Sequence, residues 1–229
     1  MMKSLTNLAI VFLFSSLSFA QNVSILKDSI CVSHDCFELQ ELKINTKNTE
    51  AYKKIQKSFD VFNGFLFDIP EKRLQAKKDT LKSLISKNSL RESQYGFEKY
   101  EILFDKKGLL NLSMKIQSYG SPWENTKYYF FDINNNTQIG DNLFINKKKL
   151  LFLCKKKIKN EEGQSFNMKS LSQYKLNTNS KGKVIGISII FYDEENGTNS
   201  GYPQYLALFK WKEIEKFISQ KYRNSLLQD

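Results

Sequence analysis

The stretch Tyr100-Glu-Ile-Leu-Phe-Asp-Lys-Lys-Gly-Leu-Leu-Asn-Leu-Ser-Met-Lys-Ile116 decides the fold class. From Leu110 to Ile116 the even positions are apolar and the odd ones polar, the two-residue period of a strand with one dry and one wet face. Tyr100, Ile102 and Phe104 repeat that period upstream. Between the two runs, Asp105-Lys-Lys-Gly108 ends in glycine, as a four-residue hairpin loop prefers, so an antiparallel hairpin is expected. Further on, Lys127-Tyr-Tyr-Phe-Phe-Asp-Ile133 is aromatic on both faces and reads as a central strand, after which Asn134-Asn-Asn-Thr137 turns the chain.

Toward the carboxyl end, a lysine-rich helix is expected over 146–159, burying Leu150, Leu151, Cys154 and Ile158 along one face. Asn160–Gln164 reads as a mobile loop. A second hairpin follows: Tyr174, Leu176 and Thr178 alternate, Asn179-Ser-Lys-Gly182 turns, and Ile185, Ile187, Ile189 and Phe191 alternate again. Gln204 to Trp211 reads as a fully buried strand, and Ile214, Phe217, Ile218 and Tyr222 as the apolar stripe of a closing helix. Toward the amino end, Tyr52, Ile55, Phe59, Phe62 and Leu66 recur at helical spacing, which predicts one long amphipathic helix ended by Pro70. Pro70 then opens a second helix carrying Leu74, Leu81, Leu84 and Ile85. The order gives an α+β class, a mainly antiparallel sheet packed against N-terminal and C-terminal helices.

The first residues set an address. Met1, Met2 and Lys3 precede an apolar core starting at Leu8, and Ser18-Phe19-Ala20 places small residues at −3 and −1 of a cleavage point. Residues 1–20 are therefore expected to be a removable signal, and 21–229 a single domain acting in a periplasm or outside the cell, with no membrane span in the mature form. The formal charge of +11 favours anionic surfaces, and Lys147–Lys149 with Lys155–Lys157 form either a solvated face or a contact for anionic polymers. Nucleic acid is not an expected partner, because helix-turn-helix, zinc-finger and RNA-binding strand signatures are absent from the sequence.

Of the three cysteines, Cys31 and Cys36 are spaced to bridge in an oxidising compartment; the other readings are a redox pair or a metal site using His34. Cys154 falls on the buried face of its helix and is expected to be inert. With one histidine, serine and cysteine nucleophiles lack their usual base, and metal-ligand and phosphate-loop motifs are missing. No catalytic residue, metal or cofactor is expected. The acids Glu161-Glu162 and Asp193-Glu194-Glu195 are the pairs a glycosidase reading would need. What remains is a binding surface on two turns, Tyr119–Asn125 and Asn196–Pro203, whose candidate contacts are Tyr119, Trp123, Asn125 and Tyr202.

The segment Tyr100–Met114, the Tyr119-Gly120 turn, and Tyr128–Phe144 with its Phe-Asp strand end and Asp141-Asn-Leu-Phe144 helix entry together resemble the DUF3298 family. Gly201-Tyr-Pro203 and Trp211-Lys-Glu-Ile214 look like its closing segment. Residues 41–95 are similar to the helical DUF4163 segment that often precedes it, and residues 96–222 to DUF3298 itself. Members occur in the extracellular part of lysozyme-sensing anti-sigma factors and beside the catalytic domain of peptidoglycan deacetylases. The resemblance implies a non-enzymatic binding protein whose ligand is a lysozyme-like protein or a cell-wall glycan; the alternative is an enzyme or accessory factor acting on envelope glycans. Where the family commonly has Gly-Gly-Ala-His, this chain has Gly120-Ser-Pro-Trp123, so no role of that histidine carries over.

Overall fold

The computed structural model describes residues 23–32, 35–45, 50–163, 169–198 and 201–227. The expected signal, His34 and residues 199–200 of the second aromatic turn lie outside them. The chain begins with two strands that no sequence pattern announces, β1 (Val23–Val32) and β2 (Asp35–Ile44). They pair antiparallel without a break from Val23↔Ile44 to Val32↔Asp35, and Cys31 and Cys36, opposite one another, form the expected disulfide. Polar residues at Lys27, Asp28 and Ser29 interrupt the apolar alternation of β1, which hides it from a periodicity reading.

The long amphipathic helix does not form. Helix α1 (Glu50–Gln56) buries Ala51, Tyr52 and Ile55, then stops. Asp60, Asn63 and Gly64 all have positive φ, a conformation a right-handed helix excludes. The side chain of Gln56 closes the resulting loop, accepting from Phe67 N at 2.9 Å and donating to Phe67 O at 2.8 Å. Phe62, Phe65 and Phe67 stack edge to face within the loop instead of along a helix. Pro70 does open α2 (Pro70–Ser86), which lays Leu74 and Leu81 on the β1–β2 hairpin, and α3 (Leu90–Ser93) adds one turn with Leu90 buried.

The central sheet has the order β3-β4-β5-β6, with β3 (Gly96–Lys106), β4 (Leu109–Ser118), β5 (Glu124–Asp132) and the two-residue β6 (Thr137–Gln138). The expected first hairpin is present, but its turn is tighter: Lys107 and Gly108, at φ +54° and +77°, make a two-residue turn matched to strand twist. A side chain at 108 would also collide with Asn134. Strand β4, rather than the aromatic β5, is paired on both sides, from Leu109 to Gln117.

The wet face expected for β4 is dry. Leu110, Leu112 and Met114 pack with Val23, Leu42, Ile55 and Phe131, while Asn111 and Ser113 on the opposite face are also buried. A second sheet covers that face, with order β7-β8-β9 from β7 (Tyr174–Thr178), β8 (Val184–Tyr192) and β9 (Gln204–Lys210). Asn111 joins the sheets by donating to Tyr129 O at 2.8 Å and accepting from Leu176 N at 2.8 Å. A buried amide is tolerated there because its groups are satisfied. Gln173 makes a similar stitch, accepting from Tyr128 N at 2.8 Å.

Helix α4 (Lys147–Glu162) buries Leu150, Cys154 and Ile158 as expected, and continues through Glu162, so most of the anticipated loop is its last turn. Strand β9 is an edge strand in which only Ala207 and Phe209 are buried, not the fully buried strand its composition suggests. The closing stripe is buried, yet it comes from three pieces: α5 (Trp211–Ile214), a 3-10 turn over Glu215–Phe217, and α6 (Gln220–Leu227). Among the described residues, no helix is long and apolar enough to cross a membrane.

Candidate functional site

The two aromatic turns meet. Strand β8 ends at Tyr192, and Asp193 caps the following 3-10 turn, accepting from Asn196 N at 3.2 Å and from Asn196 Nδ2 at 2.7 Å. Asp193 N donates to Pro203 O at 2.9 Å, closing the base of the loop before β9. Gly201 is required for this path, and Gly197 lets the Tyr202 ring lie against the loop. A Cβ at 197 would come within 2.8 Å of the Tyr202 ring, and one at 201, where φ is +123°, within 2.5 Å of Glu124 O. The loop therefore sits on the first residue of β5.

Between them lies an open groove of about 510 Å³, lined by Asn125, Thr126 and Lys127 of β5, by Ser172 and Gln173 ahead of β7, and by Tyr192, Asp193, Glu194, Glu195, Tyr202 and Tyr205. Its acids outnumber its lysines, Lys127 and Lys169, in a chain of net charge +11. Lys127 is also committed elsewhere: it donates to Ser58 O at 2.8 Å over the Phe59 ring, and burial lowers its pKa. Glu194 and Glu195 are exposed and, among the described residues, have no ion-pair partner. The Tyr192 hydroxyl is buried in the wall with no hydrogen-bond partner among the described residues, and desolvation raises its pKa.

Two of the four candidate contacts, Asn125 and Tyr202, line this groove, and Tyr202 is 44% exposed. Trp123 is half-buried and does not line the groove; its backbone N–H donates to Ser121 Oγ at 3.1 Å. Tyr119 faces away, half-buried against Phe37 and Phe97 with ring centroids 5.8 and 6.3 Å distant. Tyr192 and Tyr205 were not anticipated; their polar heads gave no sign in a strand alternation that also fits a plain core. Glu161 and Glu162 are exposed at the end of α4. Cys154 is fully buried, which pushes its thiol up to about 12. Among the described residues no cluster of His, Cys, Asp or Glu has metal-binding geometry.

A second polar cluster is internal. Arg73 and Lys77, 1% and 3% exposed on α2, meet Glu41 of β2 and Glu98 of β3. Arg73 Nη1 lies 2.6 Å from Glu41 Oε2 and 2.8 Å from Glu98 Oε2, Nη2 lies 3.0 Å from Glu98 Oε1, and Lys77 pairs with both carboxylates. Tyr100 donates to Glu98 Oε2 at 3.2 Å, and Lys77 donates to Gln40 O at 2.7 Å. Burial alone would raise the Glu98 pKa, but Lys77 and Arg73 beside it outweigh that and hold it at about 2. Two cations and two anions balance in an enclosed site, so the network fastens α2 and the β1–β2 hairpin to the central sheet.

No protein-family model matches the sequence, and no curated protein matches it. Among solved structures, a member of the DUF3298 family from Bacteroides fragilis aligns over 90% of this chain and 97% of its own, with a TM-score of 0.50 and 10% identity. A DUF3298 family protein from Pseudomonas aeruginosa aligns over 90% and 96%, with a TM-score of 0.46 and 8% identity. At such identity the first likeness is one of architecture, and the chain carries the fold of a DUF3298 family protein.

Proposed function

We propose that this chain is an exported, non-catalytic binding protein and that the groove between the two aromatic turns holds a cationic element of a protein ligand, with a lysozyme-like enzyme as the expected class. The observation that carries the reading is the gathering of Asp193, Glu194 and Glu195 beside Tyr202, Tyr205 and the Tyr192 hydroxyl, which has no hydrogen-bond partner among the described residues. The exposed Tyr202 gives rigid contact area with a polar tip, and the acids give the groove lining an excess of negative groups in a chain that is positive as a whole. At physiological salt the screening length is about 8 Å, so this local field decides short-range docking although the chain as a whole repels a cation. The acids suit attraction better than catalysis, because a general acid needs burial and Glu161, Glu162, Glu194 and Glu195 are exposed.

The test is a titration of the purified chain against a cationic lysozyme and against purified peptidoglycan, by calorimetry. Binding to lysozyme is expected, weakened roughly tenfold or more by the Glu194→Lys/Glu195→Lys variant, in line with the cost of reversing rim charges at an interface. If neither ligand binds, the proposal fails. Binding to peptidoglycan alone, sensitive to Tyr202→Ala and indifferent to the charge reversal, would transfer the groove to a glycan ligand.

A further inference from the structure

The exposed edge of the second sheet has a nearly palindromic sequence. Strand β9 reads Gln204-Tyr-Leu-Ala-Leu-Phe-Lys210, so about Ala207 it places leucine against leucine, tyrosine against phenylalanine and glutamine against lysine. Leu206 and Leu208 are 41% and 54% exposed on the outer face, while Ala207 and Phe209 face the core. The hydrogen-bonding parity of the strand is fixed by its neighbours. Ile190 N donates to Gln173 O, so Ser188 and Ile190 turn their backbone groups away from β9, and Ile187, Ile189 and Phe191 supply its ladder. The residues of β9 that face β8 are then Tyr205, Ala207 and Phe209. Leu206 and Leu208 point their N–H and C=O groups to the open edge, as does Lys210, whose N–H is taken by Glu213 Oε2 at 2.8 Å. Among the described residues, no partner meets the backbone groups of Leu206 or Leu208.

An open edge of this kind is normally protected by a charge, a proline or a bulge. Residues 205–209 contain none of these, and β9 pairs with β8 without a register shift. We propose that β9 pairs antiparallel with β9 of a second copy, the two-fold axis passing through Ala207 and joining the two three-stranded sheets into one of six strands. The parity agrees with this register and with no neighbouring one-residue slip. Centred on Ala207, Leu206 opposes Leu208 of the other copy, and both present outward-facing backbone groups, so each pair exchanges two hydrogen bonds. All four leucines then cluster on one face, Gln204 opposes Lys210 so that no like charges meet, and the contact is self-complementary as a two-fold interface requires.

The register makes a charge-exchange experiment possible. Leu206→Lys and Leu208→Glu are each prepared alone, and their molecular masses and those of the wild type are measured by sedimentation equilibrium and native mass spectrometry. The wild type is expected at twice the monomer mass and each variant at the monomer mass. An equal mixture of the two is expected to recover the double mass as a one-to-one heterodimer, because the introduced lysine of one copy then opposes the introduced glutamate of the other, while the remaining Leu208 opposes the remaining Leu206. The reciprocal pair, Leu206→Glu with Leu208→Lys, repeats the test should a first variant fold poorly, with near-ultraviolet circular dichroism as the check on folding. A wild type that stays monomeric at its highest soluble concentration overturns the proposal. So do variants that remain dimeric, or folded monomeric variants that fail to recombine.

Discussion

Replacing Arg73 by methionine tests the enclosed charge network most directly. The substitution keeps the aliphatic stem and removes the guanidinium that contacts Glu41 and Glu98 at 2.6 to 3.0 Å. Two carboxylates then share Lys77 in a site closed to water, an uncompensated buried charge whose cost is about 3–5 kcal/mol. The pH dependence follows from Glu98. In the wild type its pKa is depressed from 4.5 to about 2, so its contribution is present above the unfolded value and lost as pH falls through the folded one. That depression corresponds to about 3 kcal/mol at neutral pH. Without Arg73, burial of Glu98 is compensated by Lys77 alone, so its proton is held more tightly than in the wild type and the pH dependence reverses in sign: the variant gains stability as pH falls from 7 toward 4.5, where the wild-type contribution of Glu98 is flat. Urea unfolding followed by tryptophan fluorescence at several pH values measures both effects. A loss below about 1 kcal/mol at pH 7, the size of an exposed pair, would refute an enclosed network. A gap between wild type and variant that stays constant with pH would refute the linkage argument. Adding Glu98→Gln to Arg73→Met restores the charge balance and should return part of the lost stability.

Gly201→Ala should cost about 1–3 kcal/mol, because it combines a left-handed φ of +123° with a Cβ 2.5 Å from Glu124 O; it should also weaken groove binding, measured by thermal melting and the same titration. Reducing the Cys31–Cys36 bridge should cost about 2 kcal/mol, as the loop it closes is short. In the same sample Cys154 should stay unlabelled by a thiol reagent below the unfolding transition, since burial holds its thiol at about 12; labelling at the native rate of an exposed thiol would contradict its placement.

What the sequence revealed and concealed follows from the range of each interaction. The hairpin at Lys107-Gly108, the buried face of α4 and the hairpin from Tyr174 to Phe191 were legible because strand and helix periods are set by neighbours within a few residues. The helical spacing of Tyr52 to Leu66 was equally regular and misled, since backbone conformations at Asp60, Asn63 and Gly64 and the Gln56–Phe67 clasp overrode it. Asn111 looked like a solvent-facing residue because nothing local announces that β7 will lie against it. Of the candidate site, Asn125 and Tyr202 were legible as turn residues with unusual neighbours, whereas Tyr192 and Tyr205 read as ordinary strand positions.

By itself, then, the sequence determined the α+β class, the buried face of α4 and the hairpins β3–β4 and β7–β8, and it favoured a bridge between Cys31 and Cys36, all of which depend on local period or spacing. Only the tertiary structure decided the groove, the sheet-to-sheet amides and the Arg73–Lys77–Glu41–Glu98 network. Those contacts join residues far apart in the chain, such as Arg73 with Glu98, 25 positions on, and Asn111 with Leu176, 65 positions on. A charged residue looks alike in sequence whether water or an opposite charge will meet it. The difference appears only when non-local packing removes the water, and with it the option of being solvated.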